Sequence, residues 1–241
     1  MTTAVDKADE IGMATRELVE KYLRGRPNFV ANQEFLSRME VFAAELARWG
    51  AKMNLTAAPE DPTELAFHIL DSLMPLVLAA DESAELARDF TTGERILDLG
   101  SGAGFPGLVL ASATEAEFQL VEARRKRVSF LRTAIGAMGL RNVEVDSQYR
   151  RAFAPEFDVV TARAFAQPEK FYEVAATALK PGGITMLYAS ERQREEIEKI
   201  LRGRHESAMF HDYEPLLRRA DHSGEQSFLT SHFIVVSRKT V

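Results

Sequence analysis

The 241-residue sequence contains no cysteine. Disulfides, cysteine-bound zinc, iron–sulfur clusters and thiol nucleophiles are thereby excluded, and the absence fits a reducing cytoplasm. No apolar run approaches the roughly 18–20 residues that span a bilayer. The opening stretch, residues 1–22, is charged throughout and carries no signal-peptide core. A cytoplasmic protein without a membrane partner is expected. Asn54-Leu55-Thr56 spells a glycosylation sequon, which without a secretory signal is only a loop tripeptide. Excess positive charge is missing too. The net charge is −6, so any nucleic-acid contact must rest on a local patch. The five histidines form no ligand-spaced cluster, and no metal site is expected.

Apolar residues make up 46% and charged residues 27% of the chain, the balance of a folded globular protein rather than a disordered one. The length fits one large domain, or one domain with a small extension. Residues 1–90 read as a helical extension packed on a core of residues 91–241. Phe35, Met39, Phe42, Leu46 and Trp49 form one helical stripe, with Asn32 as cap and Gly50 as stop. Thr63 is expected to cap a helix bearing Leu65, Ile69 and Leu70. Asp71 or Ser72 would cap the next helix, with Pro75 in its first turn.

Beyond residue 90 short apolar runs alternate with longer amphipathic segments. Strands are expected at Arg95–Leu99, Glu117–Val121, Val143–Val145, Phe157–Thr161, Ile184–Tyr188 and Phe228–Ser237, with Ala208–Leu217 as hairpin partner of the last. Helices are expected at Phe105–Ser112, Arg124–Met138, Pro168–Leu179 and Arg192–Leu201. This alternation predicts an α/β fold with a mostly parallel sheet covered on both faces.

The most informative stretch runs from Ile96 to Gly107, an apolar strand that enters a glycine loop and then a helix. Glycines permit the sharp turn and the close approach of a ligand, and amides at the helix start would face that ligand. Two fingerprints fit. Gly102, Gly104 and Gly107 spell the dinucleotide pattern G-x-G-x-x-G, with Glu122 about 20 residues on. Gly100, Gly102 and Gly104, preceded by Asp98, spell the G-x-G-x-G loop of Rossmann-like S-adenosylmethionine methyltransferases. In both, Glu122 ends the second strand, where its carboxylate would meet ribose hydroxyls. Two features favour the methyltransferase. Gly100 directly ends the strand, and Leu179-Lys180-Pro181-Gly182-Gly183 resembles the turn before the fifth strand of that class.

Several segments together resemble a narrower family. They are Arg48–Thr56, His68-Ile69-Leu70-Asp71-Ser72, Asp98–Gly107, Lys126–Arg132 and Arg163-Ala164-Phe165. In this order they resemble the bacterial small-subunit ribosomal RNA methyltransferase G family, also called glucose-inhibited division protein B. The resemblance implies a seven-stranded sheet with the last strand antiparallel and a helical N-terminal extension. It implies methyl transfer from S-adenosylmethionine to N7 of a guanine in the decoding-region loop of 16S ribosomal RNA. Ribosomal RNA or the small subunit would be the partner, and a monomer is expected. Cofactor contacts would come from Asp98, Gly100, Ser101, Gly102, Gly104, Phe105, Pro106, Gly107, Glu122 and Ala123, and from the chain at Arg150 and Arg151. Arg163, at the end of the fourth strand, would stand between cofactor and substrate as the catalytic residue, through guanine O6, a phosphate or the cofactor carboxylate.

The chain departs from the family pattern at four places. Tyr149-Arg150-Arg151 replaces Arg-x-Glu, Tyr188-Ala189-Ser190 replaces a lysine-glycine, Ser231 stands where an arginine is expected, and Ala57–Asp61 lacks another. A diverged member that binds without methylating, and a nicotinamide-dependent oxidoreductase using Gly102–Gly107, are the alternatives. Arg124, Arg125, Lys126, Arg127 and Arg132 form a basic run suited to RNA phosphates, or else a solvated helix face. Asn54 and Asp71 are further candidates for RNA contact. Asn54 would otherwise cap a turn. His68, three residues before Asp71 on one helix face, is read as a structural contact. Phe165 would stack on a base or serve as a packing ledge.

Overall fold

The computed structural model describes residues 4–25, 31–78, 90, 92–148, 150, 152–165, 167–204, 206–213, 217 and 232–238. Four helices come first: α1 (Ala4–Leu23), α2 (Gln33–Gly50), α3 (Pro62–Ser72) and α4 (Met74–Leu78). In α1 the buried positions Ala8, Ile11, Thr15, Val19 and Leu23 recur at steps of three and four, the spacing of one helix face. The α2 stripe is as the spacing predicts, and the Asn32 side chain accepts from the Phe35 amide at 2.8 Å. Gly50 is the last residue of α2 rather than a left-handed stop. Its missing side chain makes room for Pro59, whose ring would lie 2.3 Å from a Cβ there. Asp61, not Thr63, caps α3. Its carboxylate accepts from the Thr63 amide at 2.8 Å and Pro62 opens the helix, where its missing N–H costs nothing. Asp71 and Ser72 do not cap α4, because both belong to α3 and their side chains are engaged elsewhere.

The sheet follows: β1 (Arg95–Leu99), β2 (Glu117–Val121), β3 (Val143–Asp146), β4 (Phe157–Arg163), β5 (Leu179–Ser190), β6 (Ser207–Tyr213) and β7 (His232–Arg238). Their order is β3-β2-β1-β4-β5-β7-β6. Pairs among β1–β5 are parallel, and β7 runs antiparallel between β5 and β6. The segment read as a turn before the fifth strand lies within β5. Leu179 pairs with Phe157 and Ile184 with Val159, so Lys180–Gly183 bulge out of register, with Gly182 at φ +75°. Residues 228–231 of the expected last strand lie outside the described residues.

Helices α5 (Gly107–Ala113) and α6 (Arg125–Met138) cover one face; α7 (Pro168–Ala178) and α8 (Arg194–Arg204) cover the other. Strand periodicity sorts the side chains. Ile96, Leu120, Val159 and Met186 enter the core shared with α2, α3, α5 and α6, while Leu97, Val121, Val160 and Leu187 enter the core under α7 and α8. The helical extension shares the first core. Phe42 lies 5.3 Å from the Phe105 ring and 6.4 Å from Phe130, and Trp49 packs edge-on to Phe130 at 5.9 Å. This places α3 across the carboxyl ends of β4 and β5, where Tyr188 of β5 donates to the Ser72 carbonyl at 2.7 Å.

Candidate active site

Strand order reverses between β1 and β4, so the chain leaves their carboxyl ends in opposite directions and opens a crevice. The glycine loop occupies one lip. Its amides are mostly spoken for. Gly100 and Ser101 both donate to the Val121 carbonyl, at 2.9 and 3.1 Å, and Gly104 donates to Ser101 at 2.7 Å. Gly102 donates to the Glu122 carboxylate at 3.1 Å, and the other Glu122 oxygen accepts from Arg124 N at 2.8 Å. These four loop amides therefore have acceptors within the chain. Glu122 itself is buried, with Arg127 Nη1 at 3.8 Å. Glu122 fits either fingerprint; what tells against the nicotinamide alternative is the sheet, in which β7 runs antiparallel between β5 and β6.

Each glycine has its own reason. A Cβ on Gly107 would lie 2.4 Å from Leu120 and 2.5 Å from the Asp98 carboxylate; on Gly104 it would strike Leu108 at 2.6 Å. Gly100, at φ +75°, faces the Phe165 ring, 3.3 Å from where its Cβ would be. Only Gly102, at φ +56°, has nothing nearer than 3.5 Å, and that neighbour is the tip of Arg127. Behind the loop, Asp98 is fully buried and neither carboxylate oxygen has a hydrogen-bond partner among the described residues. The Ser101 hydroxyl donates instead to the Asp98 carbonyl at 3.1 Å. Burial pushes the Asp98 carboxyl up to about 7. The nearby Ser101 hydroxyl and Gly107 N–H oppose the shift, and the charge of Glu122 adds to it.

The other lip is the end of β4. Arg163 is clamped onto α3. Its Nε lies 3.2 Å from Asp71, Nη1 donates to the His68 carbonyl at 3.1 Å and to Ser72 at 3.3 Å, and Nη2 donates to His68 Nδ1. Because an arginine only donates, His68 Nδ1 must accept, which puts the imidazole proton on Nε2, 3.1 Å from Glu64. The guanidinium also lies 5.6 Å from the centre of the Phe105 ring, and His68 packs on the same ring at 5.1 Å. Three guanidinium protons thus donate hydrogen bonds, Nε faces Asp71 as an ion pair, and one Nη2 proton is left. Tyr213 of β6 donates to the second Asp71 oxygen at 2.7 Å. Burial and the Asp71 charge raise the Tyr213 phenol well above its ordinary value, so it stays a donor.

Asp71 is accordingly a correction. It is 4% exposed with both oxygens engaged, so it holds Arg163 rather than facing RNA. His68 is packed as expected. Glu64, Tyr188 and Tyr213 were not anticipated. The signal for Glu64 was present: Glu64, His68, Asp71 and Ser72 share one face of an otherwise apolar helix. The other site residues are dispersed. Ser101, Gly102, Phe105, Pro106 and Gly107 are buried in the loop, and Ala123 is exposed beside Glu122. Arg124, Arg125, Lys126 and Arg132 are exposed along α6, while Arg127 turns back toward Glu122. Asn54 is exposed on the loop before α3. Arg150 is exposed and pairs with Asp146 at 3.1 Å. Tyr149, Arg151 and Ser231 lie outside the described residues.

The strand order, the antiparallel seventh strand and the glycine loop facing an acidic β2 end define the Rossmann-like, S-adenosylmethionine-dependent methyltransferase class. A SAM-dependent O-methyltransferase from Thermotoga maritima shares this fold, with a TM-score of 0.55 at 21% identity over 71% of this chain and 64% of that one. The particular family comes from the sequence. The model of the rRNA small subunit methyltransferase G family (GidB) matches residues 35–220, and the chain belongs to that family. A ribosomal RNA small subunit methyltransferase G from Chlorobium phaeobacteroides is 30% identical over 90% of this chain and 94% of its own length. One from Laribacter hongkongensis is 39% identical over 57% of this chain and 62% of its own.

Proposed function

We propose that this chain transfers the methyl group of S-adenosylmethionine to N7 of a guanine in the decoding-region loop of 16S ribosomal RNA, in the cytoplasm. Membership of the methyltransferase G family carries this reading. The crevice supports the cofactor. S-adenosylmethionine bears a sulfonium and an ammonium. The loop stands between two buried carboxylates, Asp98 with both oxygens unpartnered and Glu122 at the β2 end. The charge of Glu122 favours a cationic ligand and, as an acceptor, Glu122 suits ribose hydroxyls, while Asp98, pushed up to about 7 by burial, adds its charge only above that pH. Gly100–Gly104, Phe105 and Glu122 would hold the cofactor, with Ala123 and Arg150 at its adenine end. Pro106 and Gly107 set the turn into α5.

When bound, the cofactor supplies an electrophilic methyl group on a positive sulfur. Guanine N7 has a free lone pair and no proton, so no general base is required. The chain's task is alignment and exclusion of water. Arg163, fixed by His68, Ser72 and Asp71, keeps one N–H for guanine O6 or a phosphate. It is the residue assigned to the reacting pair, and Asp71, His68 and Tyr213 position it.

Arg124, Arg125, Lys126 and Arg132 are proposed to meet RNA phosphates, with Asn54 on the same approach. Arg125, Lys126 and Arg127 fill the first turn of α6, where positive charge opposes the helix dipole; the turn holds no acidic residue of its own, and Glu122 at the helix start pairs with Arg127 alone among the described residues. An arrangement that disfavours the isolated helix is accounted for by a polyanionic partner. Calorimetry tests the cofactor assignment. S-adenosylhomocysteine should bind the wild-type chain and bind Glu122→Gln at least tenfold more weakly, and NAD should give no heat. NAD binding, or unchanged affinity in the variant, would overturn it.

A further inference from the structure

Ala164 is the sole non-glycine residue with positive φ, +54°, among the described residues. For an L-residue this conformation is disfavoured, and such residues collect where neighbouring groups must be aimed. Here the neighbours are Arg163 and Phe165. The reversal at Ala164 sends the Arg163 side chain onto α3 and brings the Phe165 ring over Gly100, at the junction of the two crevice lips. Phe165 is half-buried, with its edge on the Phe171 ring at 6.3 Å and 61°. The ring packs on the margin of the core under α7 and α8 and stays only half-buried beside the glycine loop, a platform supported from behind.

We propose that Phe165 is the surface on which the target guanine stacks, and that it favours the methylated ring over the unmethylated one. This rests on the guanine-N7 reading above. As N7 donates its lone pair to the methyl carbon, the C–S bonding pair stays on sulfur, which becomes neutral. The positive charge passes to the purine, and no proton moves. An aromatic face attracts a cationic ring more than a neutral one. Stacking on Phe165 therefore strengthens as the reaction proceeds, so the ring contributes to kcat and not only to RNA binding. Arg163, locked beside it, supplies orientation in the plane of the base.

The test uses the full-length chain with Phe165→Leu and Phe165→Trp. Stacking losses of the usual size predict that Phe165→Leu lowers kcat on unmodified small-subunit particles by about 10- to 100-fold, with KM changed less. S-adenosylhomocysteine affinity should stay within about twofold of wild type, and Phe165→Trp should restore kcat to near the wild-type value. A second readout needs no turnover. The tryptophan fluorescence of Phe165→Trp should be quenched by 7-methylguanosine monophosphate, more than by guanosine monophosphate, and beyond the response of the wild-type protein, whose Trp49 is packed on Phe130. Equal quenching in wild type and variant, or undiminished kcat in Phe165→Leu, would overturn the proposal. A loss of cofactor affinity matching the loss of kcat would do the same, making Phe165 a cofactor cover. If wild type itself methylates no guanine, the function reading falls first, and the nucleotide titration still reads the ring.

Discussion

Arg163 Nε and Asp71 Oδ2 stand 3.2 Å apart, joining the end of β4 to α3 across 92 positions of sequence. Both side chains are largely withdrawn from water, and the second Asp71 oxygen takes the Tyr213 phenol. An ion pair so placed is costly to break from one side, because the remaining charge stays buried. Arg163→Ala is therefore expected to lower melting temperature as well as activity. Arg163→Lys separates the two effects, since an ammonium keeps the charge but not the fork that spans His68, Ser72 and Asp71. It should retain most of the stability and lose at least tenfold in kcat. Near-normal kcat in Arg163→Lys would remove Arg163 from the reaction.

Tyr213→Phe deletes only the hydroxyl that holds Asp71. One Asp71 oxygen is then left buried without its donor, at a cost of about 1–3 kcal/mol. The expected result is a measurable fall in urea midpoint, with kcat reduced and S-adenosylhomocysteine affinity unchanged. A fall in cofactor affinity instead would mean that β6 acts through the glycine loop.

Gly107→Ala should be more damaging than Gly102→Ala. At Gly107 the added methyl meets Leu120 and Asp98 at 2.4 and 2.5 Å in a packed core. Overpacking of that kind costs about 1–3 kcal/mol. At Gly102 the nearest atom is 3.5 Å away and the cost is mainly that of φ +56°, about 1–2 kcal/mol. Thermal unfolding of the two variants checks the order. Loss of cofactor binding should be the larger effect at Gly102.

Asp98 gives a pH dependence with a definite sign. Its folded pKa, about 7, lies above the ordinary 3.8, so between these values the folded state holds a proton that the unfolded chain has released. Stability from this group is full below about pH 4 and is lost as pH rises through about 7. Asp98→Asn removes the titration. Over pH 5–8 the melting temperature of wild type should therefore fall relative to that of Asp98→Asn. A parallel pair of curves would contradict the buried, unpartnered carboxyl.

Arg125→Glu should act in opposite directions on stability and on RNA. An acid in the first turn of α6 suits the helix dipole and should add about 0.3–1 kcal/mol. The same change should weaken RNA binding and reduce the magnitude of its salt slope by about 1. An unaltered slope would leave the basic run as a solvated helix face.

Much of this was legible in the sequence because it is local. The short apolar runs at Arg95–Leu99 and Phe157–Thr161, the Asn32 cap and the Gly100–Gly107 loop depend on neighbours a few residues away. What was not legible depends on distant partners. Thr63 looked like a cap, yet Asp61-Pro62 offers a better one two residues earlier. Asp71 looked available to RNA because nothing local reveals Tyr213, 142 residues on. The acceptors of the glycine-loop amides are likewise distant, since Val121 and Glu122 reach them only once β1 and β2 pair. The left-handed Ala164 has no compositional signal, since alanine is not a turn residue.

The most direct measurement of the central claim is methyl transfer from labelled S-adenosylmethionine to small-subunit particles that lack the modification, followed by mapping of the labelled nucleotide. The account predicts label at N7 of a single guanine in the decoding-region loop of 16S ribosomal RNA. Label on another base or another atom, or none from a chain that binds S-adenosylhomocysteine, would contradict it.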